Sequence, residues 1–276
     1  MPPKVYVPAY PAGDFRAMPA LGNGHALLKW VTSFPGNPAQ GLPTVIGLAL
    51  LSNANNGTLE AVFEAGAITA LRTGAAAVLA AETLGRPDAE SAAVIGAGIN
   101  GKAAARTFAA RGHRPLLWDI DAKRAQAAAE AVGGEVAKSR DDALAADLLV
   151  TVTPGHEIVL AEASLRAGQH ASLMGADGPG KAEIAVEELR RVRVFCDDWT
   201  QASHNGDIVH AVEAGAIARD DVTELGAVLS GQAEGRRSAG ESTVFDSTGL
   251  AIQDLAIALA AYEHAGRITD LQEVEL

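Results

Sequence analysis

The chain has 276 residues, of which 48% are apolar and 20% are charged, and its formal net charge is −12. This length and apolar content suit one large domain or two smaller ones with a sizeable core, and they exclude global disorder. The acidic balance argues against binding to a nucleic-acid phosphate backbone. The single cysteine, Cys196, excludes an intrachain disulfide framework and a multi-cysteine metal site.

The apolar stretches indicate neither a signal peptide nor a membrane span. Residues 1–15 are proline-rich and contain no apolar core. The run 41–51 is too short to cross a bilayer. The longer run 68–84 is interrupted by Arg72 and Glu82. We therefore expect a soluble, cytoplasmic protein that binds no membrane.

The N-terminal third predicts strands followed by one long helix. Residues 1–40 are rich in Pro and Gly and predict short strands and loops, with β-type alternation over 29–35. The apolar run 44–53, an Asn-Gly turn and the segment 58–64 predict a strand, a turn and a returning strand. Apolar residues then recur at helical spacing over 66–84. The polar segment 85–91 predicts a domain boundary.

Strands and helices alternate from Ser91 onward, which predicts a parallel, doubly wound sheet. The predicted strands are 91–98, 114–121, 147–154, 170–180 and 191–198, and the predicted helices are 99–112 and 122–134. After about Ala239 the sequence predicts an amphipathic helix preceded by Asp246 and Ser247. We expect this helix to pack on the first domain.

The predicted fold is therefore α/β with two domains. A Rossmann domain covers residues 86–240. A smaller α+β domain for oligomerisation and substrate binding combines residues 1–85 with 241–276.

A glycine-rich turn follows the first strand of the Rossmann domain and opens a helix. In this G-x-G-x-x-G pattern, Gly96 makes the tight turn, Gly98 lets the backbone approach a diphosphate, and Gly101 lets helix and strand pack closely. Ile99 and Asn100 begin the helix, where free amides bind phosphate oxygens. The pattern predicts a dinucleotide site.

An acidic residue stands at the expected distance from this turn. Asp119 ends the next strand, where a carboxylate binds the ribose 2′-hydroxyl and repels a 2′-phosphate. NAD is therefore favoured over NADP, although the neighbouring Lys123 and Arg124 weaken that preference.

Motifs outside the turn carry a family resemblance over nearly the whole chain. They are AMPAL (17–21), LLKWVTSFPGNPAQGLPT (27–44), ITALRTGAAA (68–77), VIGAGINGKAA (94–104), GADGPGKAEI (175–184) and GRRSAGESTVFDSTGLAIQDLAIA (235–258). In these motifs the chain resembles the ornithine cyclodeaminase/mu-crystallin family, which includes archaeal-type alanine dehydrogenases and ketimine reductases. The resemblance implies a homodimer whose sheet is completed across the interface.

The resemblance also implies roles for individual residues. Lys29 matches a lysine beside the substrate carboxylate and the reacting carbon, although a lysine on a strand is by itself more often solvated. Arg72 matches an arginine that grips the carboxylate, and Lys4 is the nearest match to a third cation. Asp177 matches the general acid/base.

Four hydroxyl residues complete the predicted cofactor contacts. Thr44 and Thr73 match cofactor contacts in the family, and Ser247 lies in the loop near the nicotinamide. We add Thr153, at the end of an apolar strand, to the predicted cofactor site.

The chain departs from the family pattern at three places. It begins a few tens of residues later than most members, so we expect a short dimerising segment. Lys4 replaces an arginine and cannot reproduce a bidentate clamp. Ornithine-specific members carry a glutamate where this chain has Arg16. A cation there would repel an ornithine side chain, which favours a substrate with a small or acidic side chain.

Structural interpretations of the same residues stay open at this point. Arg72 could pair with Glu64 or Glu82 rather than with a substrate. Asp177, before Gly-Pro-Gly, could be a turn aspartate, and Arg16 could point to solvent. The histidines have no metal-ligand spacing, so no metal is predicted.

The function predicted is an NAD-dependent oxidoreductase acting on the C–N bond of a small amino or imino acid, with NADP as the second cofactor choice. The first alternative is an ornithine cyclodeaminase, a lyase that uses NAD and returns the hydride. The second is a cofactor-binding, non-catalytic protein of the mu-crystallin kind.

Overall fold

The structure is a computed structural model that describes residues 1–178, 180–267 and 270–272. Pro179, inside the predicted strand 170–180, lies outside the described residues, as do 268–269 and 273–276 of the predicted C-terminal segment.

The described residues form strands β1–β13 and helices α1–α9. The strands are β1 (Val5–Ala9), β2 (Gly13–Gly22), β3 (His25–Ser33), β4 (Val45–Asn53), β5 (Leu59–Glu64), β6 (Ala92–Ile95), β7 (Leu116–Trp118), β8 (Glu135–Val136), β9 (Leu148–Thr151), β10 (His170–Leu173), β11 (Arg193–Cys196), β12 (Val222–Glu224) and β13 (Thr243–Asp246). The helices are α1 (Ala65–Leu84), α2 (Ile99–Ala110), α3 (Ala122–Val132), α4 (Arg140–Leu144), α5 (Val186–Leu189), α6 (Trp199–Asn205), α7 (Val209–Glu213), α8 (Leu225–Leu229) and α9 (Ala251–Glu263).

The chain divides into two compact units. Unit 1 is Met1–Arg72 with Leu250–Leu276, and unit 2 is Thr73–Gly249. The sequence predicted boundaries at 85/86 and 240/241 instead. Both differ for a physical reason: the later turns of α1 belong to the core of unit 2, and β13 is a strand of its sheet.

Unit 1 contains an antiparallel sheet in the order β1-β2-β3-β4-β5. The predicted strands at 29–35, 44–53 and 58–64 are confirmed in β3, β4 and β5. The ten-residue β2 is longer than the short strands predicted for residues 1–40. It is joined to β3 by Asn23 and Gly24, both with positive φ, as a two-residue hairpin turn requires.

One face of this sheet is covered by helices. Met18, Leu27 and Leu51 of the sheet pack in one core with Ile68 of α1 and Leu255 of α9. The prediction that the C-terminal helix packs on the first domain is confirmed. Side chains at alternate positions of β3 enter this core, and Lys29 is among them.

Unit 2 contains a parallel sheet in the order β12-β11-β13-β10-β9-β6-β7-β8, with helices packed against it. The predicted Rossmann architecture is confirmed. From β6 the chain adds β7 and β8 on one side of the sheet, and it then returns to add β9 and β10 on the other side. The order in which strands are added therefore reverses between β6 and β9, although the two strands are parallel. Ligands of such sheets bind at the carboxyl ends of the strands beside this switch point.

Strand β13 is the main element that the sequence did not predict. It was interpreted as the approach to the C-terminal helix, yet its four residues are buried between β10 and β11. Thr243 of β13 pairs with His170 of β10 and with Arg193 of β11, which precede it by 50 residues or more. Such distant pairing leaves no local signal in a four-residue segment.

Helix α1 has the length and hydropathy of a membrane span by composition alone. However, 56% of that stretch is buried, and its apolar side chains belong to protein cores. We therefore interpret α1 as a core helix, in agreement with the sequence analysis.

Candidate active site and dinucleotide-binding turn

Lys29 occupies a buried polar position in unit 1. It lies on the covered face of β3, between Leu27 and Val31, and only 1% of the residue is exposed. Its Nζ donates hydrogen bonds to Oδ1 of Asp254 on α9, at 2.7 Å, and to Oγ1 of Thr69 on α1, at 3.2 Å. The interpretation of Lys29 as a solvated strand lysine is therefore wrong.

Arg72 shares the same carboxylate. Its Nε lies 3.5 Å from Oδ1 of Asp254, and this Nε is buried without a hydrogen-bond partner among the described residues. The alternative partners are engaged elsewhere: Glu64 accepts backbone N–H groups at the start of α1, and Glu82 pairs with Arg111. The structural pairings considered for Arg72 are therefore wrong.

The charges around Lys29 are not balanced. Burial lowers the pKa of Lys29 to about 7, the charge of Arg72 lowers it as well, and Lys4 contributes in the same direction. Asp254 opposes these effects by its charge and its hydrogen bond. Lys29 and Arg72 thus share the carboxylate of Asp254, and Lys4 adds positive charge that acts on Lys29, which is an electrostatic environment that favours an anionic ligand.

Lys4 and Arg16 both lie near the aromatic ring of Tyr6. The Nζ of Lys4 is 5.6 Å from the centroid of the Tyr6 ring, and the Cζ of Arg16 is 5.3 Å from it. Arg16 is also buried, and its Nε and Nη2 donate to the two oxygens of Asp14 at 2.6 and 3.2 Å. The solvent-facing alternative for Arg16 is therefore wrong, and Asp14 offsets its charge.

Asp254 was not predicted from the sequence as a site residue. This residue is completely buried on α9, on the same face as Ala251, Leu255 and Ala258. An acid inside the apolar stripe of an amphipathic helix is a signal for a buried cation partner, since a buried charge is costly unless it is paired. The predicted amphipathic helix therefore contained the information needed to find it.

The glycines of the turn in unit 2 have different surroundings. Gly96 has φ +99°, and a Cβ there would lie 2.6 Å from the carbonyl oxygen of Val152. A Cβ on Gly101 would lie 1.7 Å from the carbonyl oxygen of Gly96, whereas a Cβ on Gly98 would meet nothing within 4 Å. The close approaches exclude side chains at Gly96 and Gly101. Gly98, in contrast, borders open space.

The start of α2 faces this space. Gly98 is its N-cap residue and supplies no side-chain hydrogen bond to the helix. Ile99 is 76% exposed and Asn100 is half-buried. Because the first amides of a helix lack partners within the helix, this end can bind diphosphate oxygens. The residues present therefore fit a dinucleotide.

Thr73 adds an unpaired hydroxyl near α2. Its Oγ1 is buried and has no hydrogen-bond partner among the residues described. The next residue, Gly74, lies against the backbone of α2, since a Cβ there would be 2.6 Å from the carbonyl carbon of Ala103. A bound diphosphate would give this hydroxyl an acceptor. Thr44, in contrast, lies in unit 1 before β4, and its carbonyl accepts the amide of Phe34.

Asp119 is bound into the turn. Its Oδ2 accepts the amide of Ala97 at 2.8 Å, and its Oδ1 accepts the amide of Asp121 at 2.9 Å. The Nη1 of Arg124 lies 3.6 Å from Oδ2, and 55% of the Arg124 side chain is exposed. Asp119 therefore stabilises the turn through the amide of Ala97, and it is the residue predicted to bind the ribose.

Three predicted residues follow the carboxyl ends of β9, β10 and β13, at the same end of the parallel sheet as Gly96. Thr153 donates its amide to Oε1 of Glu183 at 2.7 Å. The Oδ1 of Asp177 accepts a hydrogen bond from Nζ of Lys181 at 2.7 Å. The hydroxyl of Ser247 donates to Oδ2 of Asp197 at 3.0 Å. The sheet thus brings together residues that are distant in sequence.

Buried acids hold these loops in place, and the sequence analysis missed them. Glu183 also accepts hydrogen bonds from Oγ1 of Thr151 and the amide of Gly175, both at 2.8 Å. Burial raises the pKa of Glu183 and Asp207, and it raises that of Asp246 to about 8. Such carboxyl groups fix loop geometry by accepting backbone amides.

Comparisons with known proteins agree with this geometry. The model of the ornithine cyclodeaminase/mu-crystallin family matches residues 1–267. An alanine dehydrogenase from Archaeoglobus fulgidus is 41% identical over 275 residues, which cover 96% of this chain and 84% of that protein.

Two solved structures are similar along nearly the whole chain. An archaeal alanine dehydrogenase dimer with bound NAD superposes with a TM-score of 0.93 and 39% identity, covering 100% of this chain and 88% of the other. The Thermococcus litoralis Delta(1)-pyrroline-2-carboxylate reductase, in complex with NADH and L-proline, gives 0.87 and 29% identity, covering 96% and 87%. On the evidence of its sequence and its fold, the chain belongs to the ornithine cyclodeaminase/mu-crystallin family.

Proposed function

We propose that this protein is an NAD-dependent oxidoreductase that acts on the C–N bond of a small amino or imino acid in the cytoplasm. The observation that carries the proposal is the buried Lys29–Arg72 pair, whose positive charge Asp254 only partly offsets. The diphosphate-binding turn of unit 2 and the relatives that bind NAD, NADH or L-proline support it.

In this proposal, unit 1 supplies the substrate anion site. Protonated Lys29 and Arg72 bind the substrate carboxylate, and Lys4 adds positive charge. Binding the carboxylate orients the α-carbon and its nitrogen, which removes much of the entropic barrier to reaction. Because the pKa of Lys29 is about 7, its charge responds to ligand binding.

Asp177 is the proposed general acid/base of unit 2. A carboxyl group at this position can take a proton from water or from the substrate nitrogen and return it. The hydrogen bond from Lys181 fixes the orientation of the carboxyl group.

The glycine turn, Thr73, Thr153 and Ser247 are the proposed cofactor contacts, with Thr44 as a further one from the family resemblance. A dinucleotide held there would supply the hydride acceptor or donor. Asp119 favours NAD, since its carboxylate would repel a 2′-phosphate.

Ornithine cyclodeaminase activity is the second candidate, and the Arg16–Asp14 pair favours keeping it. From the sequence, Arg16 disfavours ornithine, because an unpaired cation would repel the distal ammonium. Asp14 offsets that charge, so the repulsion is weaker than the sequence alone indicated.

The deciding experiment supplies L-alanine and L-ornithine separately with excess NAD. NADH is followed by absorbance, and proline and ammonia are assayed at the end. Net NADH from alanine is the expected result. Proline formed from ornithine without net NADH would favour the cyclodeaminase, and saturable NAD binding without turnover would favour the non-catalytic alternative.

A matched pair of variants tests the role of Lys29. K29M should lose at least about a hundredfold in kcat/KM while NAD affinity stays unchanged, because the substrate carboxylate loses a buried cation. K138M removes an exposed lysine of unit 2 and should behave like the unmodified protein. Equal activity in both variants would contradict the assignment.

We also propose the homodimer that the family resemblance implies, and that the uncovered face of the unit 1 sheet is part of its interface. Leu28, Trp30, Leu48 and Val62 share this face and are 40–52% exposed. An apolar sheet face of this kind marks an interaction surface, and one similar structure is described as a dimer. L48D should shift the mass measured by light scattering from dimer to monomer, whereas E130Q, on the exposed side of α3, should not.

A further inference from the structure

A cleft lies in unit 2 at the amino ends of the sheet strands, whereas the glycine turn lies at their carboxyl ends. It has a volume of about 640 Å³ and is lined by the start of β11 and the segment before β13. Arg193 and Thr243, the first residues of these strands, pair in register. The glycine turn follows the carboxyl end of β6, so this cleft is separate from the dinucleotide site.

The cleft concentrates positive charge on an acidic protein. Four arginines line it: Arg190, Arg191, Arg193 and Arg237. An arginine side chain carries five N–H donors, accepts no hydrogen bond and keeps its charge. The cleft therefore offers many more donors than its own residues use.

The three acids that line the cleft do not meet this demand. Glu188 accepts the amides of Ala163 and Leu165, both at 2.7 Å. Asp221 and Glu241 likewise accept backbone amides, at 2.8 and 2.7 Å. Glu188 also accepts a hydrogen bond from Nη1 of Arg191 at 3.1 Å, and Nε of Arg237 lies 3.5 Å from Oε2 of Glu234. The acids therefore offset part of the arginine charge, while part of their accepting capacity is used by the backbone.

Arg193 shows the imbalance most directly. Its side chain is 13% exposed, and its Nη2 donates to the carbonyl oxygen of Glu234 at 2.9 Å. Its Nη1 is buried and has no hydrogen-bond partner within the described part of the chain, and Oε2 of Glu241 is 3.9 Å away. Burial lowers the pKa of Arg193, and the charge of Arg237 lowers it further.

We propose that this cleft binds a small polyanion that carries carboxylate or phosphate groups, with Arg193 and Arg237 as its main ligands. The planar guanidinium group binds two oxygens of either group at once. The ligand would supply the acceptor that Nη1 of Arg193 lacks. The volume is within the range of small-molecule sites.

Titration calorimetry at constant ionic strength tests the proposal, with NAD in excess to occupy the dinucleotide site. Citrate and pyrophosphate are the two probes. We expect at least one of them to bind saturably at one site per chain in K29M, in which the proposed substrate-carboxylate site has lost a buried cation. Stronger binding of citrate would identify a carboxylate ligand, and stronger binding of pyrophosphate a phosphorylated one.

Variants assign the site to the cleft. R193Q and R237Q should each weaken binding by about tenfold or more. Arg237 is 66% exposed, so R237Q tests the site even where R193Q fails to fold. R114Q is the control, since Arg114 is 72% exposed and pairs with Glu135 outside the cleft. Absence of saturable binding, or equal affinities in R237Q, R114Q and the unmodified protein, would overturn the proposal.

Discussion

At the scale of single residues, Lys29 shows how burial and neighbouring charges set chemical behaviour. A lysine on an amphipathic strand is ordinarily charged at neutral pH. Here burial and Arg72 lower its pKa to about 7, while Asp254 limits the shift. Asp254 is therefore a positioning residue that decides where Lys29 titrates.

Carboxylate binding should consequently depend on pH. Only protonated Lys29 attracts an anion, so the affinity for propionate, measured by calorimetry with NAD present, should fall by up to about tenfold per pH unit above pH 7. D254N removes a charge that raises the pKa of Lys29, and the decline should begin at lower pH. D220N, at an exposed position, is the control. An identical pH profile in D254N would contradict this role.

At the scale of elements, the turn between β6 and α2 depends on glycines for two different reasons. Gly101 has no room for a Cβ, because Gly96 lies against it, whereas Gly98 borders open space at the helix start. The backbone of Gly98 is extended in a region open to any residue, with φ −67°. Fold and ligand binding can therefore be separated at these two positions.

We expect G98A and G101A to differ in stability. G98A should keep the melting temperature but weaken NAD binding by about tenfold or more, because its methyl group occupies the space for the diphosphate. G101A should lower the melting temperature, since its methyl group overlaps the backbone. Thermal unfolding and NAD titration of both variants check this. Unchanged NAD affinity in G98A would mean that the diphosphate does not bind beside Gly98.

At the scale of the whole molecule, buried carboxyl groups make stability depend on pH. Asp246 ends β13 in the centre of the unit 2 sheet, and burial raises its pKa from 3.8 to about 8. Between these values the folded protein holds a proton that the unfolded chain has lost. This group's contribution to stability is therefore fully present below pH 3.8 and is lost as the pH rises to about 8.

D246N should test this dependence, because an amide resembles the protonated acid. The urea midpoint of D246N should rise relative to that of the unmodified protein as the pH increases from 5 to 8. D220N, exposed and outside the sheet, should show a constant difference. A D246N difference that stays constant over this range would mean that Asp246 is ionised in the folded protein.

The sequence by itself determined the elements whose signals are local. Helical periodicity predicted α1, strand–helix alternation predicted the parallel sheet, and glycine spacing located the turn before α2. The motifs around Lys29 and Arg72 identified the family. Each of these inferences depends on the order of residues along the chain, either within one element or in a series of motifs, and on no knowledge of which segments meet in space.

Only the tertiary structure decided the pairings between distant segments. Lys29 meets Asp254 across 225 positions, and β13 joins strands that precede it by about 50 residues or more. Arg16 and Asp14 are only two positions apart, yet the structure was needed to show that their side chains pair and that Asp14 offsets the charge of Arg16. Charge balance and burial are properties of neighbours in space, and folding alone determines which residues become neighbours.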